Sequence, residues 1–545
     1  MVGNWSFELL ITGGTIVDGT GGVPFSAAVG VTRGAAGETA RLVVLRDPDA
    51  IEDAIGKTAR LVHADGKVVA PGFIDLHSHS GLVLLAERRH EPKVRQGVTT
   101  EVVGVDGLSY APINDPQRLG ELVEMNAGLD GRPNGVDYDW GSVASYLDRF
   151  DEGTGVNVAL LVGNSALRLN ATGWDQRDPT PAEMASMRSQ LREAMEAGAY
   201  GVSSGLDYPP GAYASTEELA DLASVAGKLG GFYHSHVRYN LGDQFLDPFR
   251  EAIDIGRRGD SPSHITHFYH RATFPGPPEV MLQLVDDARA EGLDVTFDSY
   301  PYEWASTRLL ITLPPWVQDG GPVPTKERLA DPKVRERIRG EMQARGVLYA
   351  GAGGLADIRL GAFRRPENLH CESQTLGQIC ADAGSDMVDT MCDLLLSEGL
   401  GVNQVTPGPN LPGIRRFYQH PVAMVGTDST FVGRKPSPRS YGSYPRILGQ
   451  FVRDEAILSL ETAVAKMTSM PAARLGLKDR GRIADGLIAD LVIFDPATVR
   501  SNATYDEPRQ FPTGIETVIV NGTAVVDGGE HTGALPGRAL RRGRD

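Results

Sequence analysis

Short apolar runs recur along the chain in two textures. At the start, FELLITGGTIVDG, AAVGVTRG and RLVVL alternate apolar runs with Gly and Asp turns, the pattern of short β strands with little helix. The same texture returns late, in GRIADGLIADLVIFDP and TVIVNGTAVVDG, which predicts one small β-sandwich domain assembled from residues 1–65 and 476–545. Residues 66–475 read differently. There VVAPGFIDLH, TTEVVGVDG, VNVALLVGN, GAYGVSSGL, GGFYHSHV, SHITHF, LDVTFDSYP and AMVGTD alternate with helical stretches such as EMASMRSQLREAMEAG and EELADLASVAGKL. Strands alternating with crossover helices predict a parallel sheet.

A TIM-like (β/α)8 barrel takes about 250 residues, so a central region of this length must carry an insertion. The best stretch for it is residues 303–368, where LPPWVQDGGPVPTKERLADPKVRERIRGEMQARG interrupts the strand rhythm with charged helix and is placed to lie over the mouth. A doubly wound open sheet is the rival α/β architecture. No G-x-G-x-x-G follows the first strand to cradle a dinucleotide.

With 545 residues, 41% hydrophobic and 23% charged, the chain can bury a full core, and disorder is excluded. A formal charge of −17 disfavours nucleic acid and anionic membrane surfaces as partners. No run approaches the eighteen or so apolar residues of a membrane span, and MVGNWSFELLITGGTIVDG lacks the zones of a signal peptide, so a soluble cytoplasmic protein is expected. The three cysteines, Cys371, Cys380 and Cys392, lack CxxC spacing. Any metal is then held by nitrogen and oxygen. Nothing in the pattern speaks to oligomeric state.

The twelve histidines are unevenly placed: His77 and His79 form one HxH, His234 and His236 another, and His264, His267 and His270 follow closely. Two-residue spacing at a strand end puts both imidazoles on one face, a geometry that chelates a cation. A lone HxH is more often ordinary hydrogen-bonded histidine. Several such segments at strand ends weaken that reading. MVGTDST adds Asp428 at the end of another apolar run, where aspartate also serves as a turn or cap residue. In a barrel the strand ends converge, so His77, His79, His236, His267 and Asp428 can meet although far apart in sequence. Such ligands suit zinc, and also manganese or iron(II), and a cation there polarises a carbonyl and brings bound water toward a pKa of about 7.

The phrases LLITGGTIVDGTGG, VVAPGFIDLHSHS, KVRQGVTTEVVG, GVSSGLDYPPGAYASTEEL, SYPYEWAST, VGTDST, PRSYGSYPRILGQFVRD and MTSMPAARLGLKDRGRIADGLIADLVIFDP resemble the D-aminoacylase (N-acyl-D-amino-acid deacylase) branch of the amidohydrolase superfamily. The matches run in order through nearly the whole chain. The resemblance implies a metal-bearing barrel, a small β domain from both termini, an inserted segment near the site, and one or two divalent ions, zinc foremost. It makes His77 and His79 the ligands after the first strand, His236 and His267 those of the fifth and sixth, and Asp428 both ligand and general acid/base. Tyr208, Tyr300 and Ser306 match substrate-contacting positions.

Four positions depart from the pattern. The family's Gly-Asn-Cys-Gly reads Gly104-Val105-Asp106-Gly107, so a carboxylate replaces the thiolate ligand, and Asp106 is expected to bind metal and able to bridge two ions. The family's Ser-His-His-Lys reads Thr266-His267-Phe268-Tyr269, and Tyr269 offers a hydrogen bond without charge. Asn164 and Ser437 stand where the family has histidine. Arg238 and Arg439 remain as anion anchors, against surface salt-bridging as the plain alternative. The expected activity is metal-dependent hydrolysis of a non-peptide amide C–N bond in a small N-acyl-D-amino acid or related amide. Alternatives on the same scaffold are a cyclic-amide hydrolase or an amide-condensing biosynthetic enzyme. A non-catalytic binding protein is disfavoured by retention of the four histidines and Asp428. With Tyr269 in place of lysine, simple N-acetyl-D-amino acids are expected to be poor substrates.

Overall fold

The strand–helix alternation of the central region closes into a barrel. In the computed structural model, which describes residues 6–32, 39–271, 274–345, 354–408 and 410–544, eight parallel strands follow one another around it. They are β1 (Phe73–Asp75), β2 (Val98–Val103), β3 (Asn157–Leu160, continuing as Val162–Gly163), β4 (Gly201–Gly205), β5 (Phe232–His236), β6 (Ser263–Ile265), β7 (Val295–Ser299) and β8 (Ala423–Val425). Each pairs in parallel with the next. Closure falls just past the strand ends, where Asp428 N donates to His77 O at 2.9 Å and His79 N to Ser429 O at 3.0 Å. Ile74, Val102, Ala159, Phe232 and Met424 from these strands pack into one buried cluster with Leu475 and Leu540.

Local signals explain the crossover helices. Helix α1 (Pro181–Ala197) starts with proline and a capping box, Thr180 and Glu183 each bonding the other's backbone N–H, and ends at Gly198 with φ 124°. Its buried Met187, Leu191, Ala194 and Met195 recur at three- and four-residue spacing, one apolar stripe facing the barrel. Helix α2 (Thr216–Lys228) is capped by Ser215, a contact worth about 0.5–2 kcal/mol.

Between β7 and β8 the chain makes a long excursion. Its strand Trp304–Arg308 pairs antiparallel with Asn403–Pro407, which also pairs with Arg359–Gly361, so the excursion returns to the barrel only after Pro407. Residues 346–353 of this stretch lie outside the described residues. Arg308 donates to the Met125 carbonyl and the Asn126 side chain, each at 2.6 Å, and Ser306 Oγ lies 3.2 Å from Thr430 Oγ1. These contacts seat the excursion against the loops that follow β2 and β8.

Two further sheets involve the chain ends. One contains Phe7–Thr12, Ala28–Thr32, Leu42–Leu45 and Leu61–His63; the other joins Thr15–Ile16, Phe25–Ser26 and Val68–Pro71 to Leu491–Phe494, Ile515–Val520, Thr523–Asp527 and Glu530–His531. Leu9, Ile11, Val29 and Leu42 of the first share a buried cluster with Ile16, Val69, Leu491 and Ile519 of the second. Among the described residues no helix is long and apolar enough to cross a membrane.

Candidate metal centre

Parallel strands of a barrel all end at one mouth, and the candidate ligands arrive there from five of them. His77 and His79 follow β1, Asp106 follows β2, His236 ends β5, His267 follows β6, and Asp428 follows β8. Asp106, His267 and Asp428 have φ of 52°, 31° and 48°, in the left-handed region that disfavours side chains by about 1–3 kcal/mol. Half the set therefore leaves the strand by a sharp turn rather than by continued alternation. At Asp106 the turn needs its glycines: Gly107 has φ 70°, and a Cβ there would sit 2.4 Å from Gly205 N.

Two groups of side chains converge on one carboxylate. His77, His79, Asp106 and Asp428 present ligand atoms within 4.8 Å of one another, as do Asp106, His236 and His267, and all are buried. Asp106 Oδ2 lies 3.2 Å from His77 Nε2, 3.4 Å from His79 Nε2, 3.5 Å from His236 Nδ1 and 3.7 Å from His267 Nε2. Asp428 Oδ1 lies 3.3 Å from His79 Nε2 and 3.6 Å from His77 Nε2. A carboxylate common to two imidazole sets would be able to serve both were cations bound there. A third group, His234, His264 and Asp298, lies among earlier strand positions. There His264 is bonded to Thr296 and Asp298 at 2.8 and 3.0 Å. His270 stands apart, with Asn410 Nδ2 2.6 Å from its Nδ1.

The outer nitrogens of the candidate ligands face residues that sequence reasoning missed. His79 Nδ1 lies 2.8 Å from Asp130 Oδ1, His77 Nδ1 3.4 Å from Asp298 Oδ2, and His236 Nε2 3.2 Å from Asp207 Oδ2. Tyr239 OH lies 3.0 Å from His267 Nδ1. A carboxylate that accepts a hydrogen bond from the outer N–H fixes the tautomer and leaves the inner nitrogen, Nε2 of His77 and His79 and Nδ1 of His236, with its lone pair toward the cluster. Asp298 carried a usable signal, since DSYP places it within a barrel strand. Asp130, in the loop NAGLDG, carried none.

The donor set fits a divalent cation. His79 Nε2 is buried without a hydrogen-bond partner although it faces two carboxylates. Burial lowers the His77 imidazole, but Asp106, Asp298 and Asp428 outweigh it and push it up to about 10. His236 is likewise pushed up to about 9, burial being overridden by Asp106 and Asp207. Burial raises the Asp428 carboxyl, yet Arg439 and His77 hold it below the ordinary range. Carboxylates that draw protons onto buried imidazoles create the negative field that a cation neutralises. Nitrogen and oxygen donors of this kind suit zinc.

The remaining candidates surround this centre unequally. Arg439 is buried, with Nη1 2.8 Å from Asp428 Oδ2, its guanidinium 4.6 Å from the Tyr300 ring centroid, and Nη2 donating to Ser306 O at 2.9 Å. The Tyr300 hydroxyl is buried and has no hydrogen-bond partner. Tyr208 packs 4.9 Å from the His236 ring and bonds Thr307 at 2.8 Å. Tyr269 stacks on Tyr239 and accepts a hydrogen bond from Arg271 Nη2 at 3.0 Å, so a cation lies beside the residue that carries no charge. Arg238 is engaged elsewhere, with Glu251 at 3.1 Å and the carbonyls of Ala212 and Ala214 at 2.6 and 2.7 Å. Asn164 donates to Gly211 O at 3.0 Å, and Ser437 is buried.

The sequence profile of the amidohydrolase family matches residues 60–308 and 396–526. The chain is 36% identical to an N-acyl-D-glutamate deacylase of Alcaligenes xylosoxydans xylosoxydans, over 98% of this chain and 96% of that protein. It resembles the crystal structure of the N-acyl-D-glutamate deacylase of Bordetella bronchiseptica complexed with zinc and a phosphonate mimic of the tetrahedral intermediate, with a TM-score of 0.81 and 32% identity over 98% of this chain and 100% of that one. It also resembles a D-aminoacylase with a binuclear metal centre, with a TM-score of 0.80 and 31% identity over the same shares.

Proposed function

The chain belongs to the amidohydrolase family, and from that premise we propose that it hydrolyses the amide C–N bond of an N-acyl-D-amino acid or related small amide. His77, His79, Asp106, His236, His267 and Asp428 would hold one or two divalent ions, zinc foremost. The observation that carries this reading is the placement of Asp106 between two imidazole groups with Asp428 beside them. Full-length similarity to N-acyl-D-amino-acid deacylases supports the substrate class.

A bound divalent ion supplies carbonyl polarisation and acidified water. The chain's own residues do the rest. Asp428 is kept ionised by Arg439, so its carboxylate accepts the proton from the attacking water and returns it to the leaving nitrogen. Asp130, Asp207 and Asp298 orient the imidazoles. Tyr300, with its unpartnered hydroxyl, and Tyr208, Ser306, Tyr269 and Arg439 are assigned to the substrate. Arg238 is assigned to holding the β5 loop, because its donors are already engaged.

The same reading includes a small β-sandwich from residues 1–65 and 476–545, supported by the apolar cluster common to the two terminal sheets, around a barrel of residues 66–475. A cytoplasmic location is part of it too, supported by three buried, unbridged cysteines.

The test is Asp428→Asn in zinc-loaded protein assayed for amine release from N-acyl-D-amino acids and their L counterparts. Turnover should fall by about 10²–10⁴-fold with unchanged circular dichroism and loss of the acidic limb of the pH–rate profile. Near-normal turnover would reject the proton-transfer role. Failure of the unaltered protein to release amine from any N-acyl-D-amino acid would reject the substrate class.

A further inference from the structure

A cavity of about 420 Å³ opens at the mouth on the His79 side, between the loops after β2 and β8 and the excursion. Its lining is apolar at Val83, Phe363 and Phe431, and three arginines, Arg132, Arg364 and Arg434, stand at it exposed. Among the described residues none of the three guanidinium groups has an acidic partner. The acids that line the cavity have hydrogen-bond partners other than these guanidinium groups. Glu124 pairs with Lys326, Asp130 holds His79 and Tyr110, and Glu398 accepts the Arg364 backbone N–H at 2.9 Å and the Asn368 amide at 2.6 Å. In a chain of net charge −17, three guanidinium groups without an acidic partner stand together at one cavity.

The walls are built rather than incidental. Glu372 accepts backbone N–H groups from Phe363 at 3.2 Å and Arg434 at 3.0 Å, tying the excursion to the loop after β8. Gly433 has φ 74°, and a Cβ there would lie 2.8 Å from Ala362 N, so the two walls meet backbone to backbone.

We propose that this cavity binds the carboxylate of an amphipathic small molecule, with its apolar body on Val83, Phe363 and Phe431 and its charge met by Arg132, Arg364 and Arg434. Guanidinium forks match a carboxylate's geometry, and the apolar lining selects against bare inorganic anions. Asp130 belongs both to this cavity and to His79, which couples occupancy to the metal centre. The coupling, unlike the binding, rests on the amidohydrolase reading. The carboxylate has two sources: the far end of the substrate's acyl group, or a separate effector.

The test is calorimetric titration of the metal-loaded full chain with octanoate, with octanol as the neutral control and the R132A/R364A/R434A variant beside it. Octanoate should bind the unaltered protein, more weakly as salt rises, and bind the variant at least about tenfold more weakly, since charge-assisted hydrogen bonds are lost. Equal affinity for both proteins, or no octanoate binding to either, overturns the site. Kinetics then separate the sources. A variant KM raised for an N-adipoyl-D-amino acid but not its N-acetyl analogue assigns the site to the substrate. Octanoate that changes kcat for the N-acetyl substrate in the unaltered protein alone assigns it to an effector. Neither effect, with binding intact, overturns the coupling through Asp130. Binding without any amide hydrolysis would instead overturn the proposed function and leave this site standing.

Discussion

Two buried polar clusters adjoin one another at the closure of the barrel, and they are finished to different degrees. In one, Lys93 is enclosed by Asp75, Glu101 at 3.0 Å and Thr427 at 2.7 Å, while Glu101 also receives Ser80 and His90. In the other, His77, His79, Asp106, His236, His267 and Asp428 face one another with Arg439 paired to Asp428, and His79 Nε2 is without a hydrogen-bond partner. The two are in contact, since Asp75 Oδ1 accepts the His77 backbone N–H at 3.1 Å. A buried charge must be paired or neutralised, so the complete cluster is explained by folding alone. The other brings together nitrogen and oxygen donors of the kind that suit a divalent cation. What separates the two clusters is a lysine inside the first and a set of metal-type donors in the second.

That contrast is open to measurement. The largest effect is expected at Asp106, which serves both imidazole groups. Asp106→Ala should lower metal content, read by mass spectrometry, and reduce turnover by more than the 10²–10⁴-fold or so that loss of a general acid/base costs, with the melting temperature of the metal-free protein little changed. Retained metal would show that the imidazole groups do not need their common carboxylate.

Lys93→Met should do the reverse. Removing one partner from a fully buried ion cluster costs about 3–5 kcal/mol, so the denaturant midpoint should drop while metal per folded chain persists. A stable variant with lost metal would merge the two clusters into one functional unit.

Lys466 is the intermediate case: its ammonium is buried and, among the described residues, donates to the carbonyls of His420 at 2.6 Å and Ala423 at 3.1 Å. Burial pushes it down to about 8 from the ordinary 10.5. Below pH 8 both folded and unfolded chains hold the proton and the desolvation cost is present in full. Between pH 8 and 10.5 the folded chain sheds it first, so stability should rise with pH by about 3 kcal/mol. Denaturation across that range should show the rise, and Lys466→Met should lack it.

The smallest effect belongs to the residues behind the ligands. Asp130→Ala should weaken metal affinity by about 10–100-fold through loss of its contact with His79, and Tyr239→Phe by less, because a neutral hydroxyl polarises His267 less than a carboxylate polarises His79. Competition with a chromophoric chelator measures both. Equal losses would show that the partner's charge does not matter.

The alternation of apolar runs and amphipathic helices determined the eight parallel strands and helices such as α1, because period and capping are local properties of the chain. The clustering of histidine and aspartate at the ends of apolar runs determined which residues were candidate ligands, since barrel strands deliver their ends to one mouth. Tertiary structure alone decided what each candidate ligand leans on. Asp130 reaches His79 from a loop with no local signature, Arg271 brings charge to Tyr269, and Arg238 is drawn into a network with Glu251. The arginine-lined cavity likewise exists only because the excursion between β7 and β8 folds back over loops distant in sequence. The physical reason is the same throughout. Periodicity and turn chemistry act within a few residues, whereas the partner of a buried polar atom is set by which loops the closed barrel happens to bring within hydrogen-bonding distance.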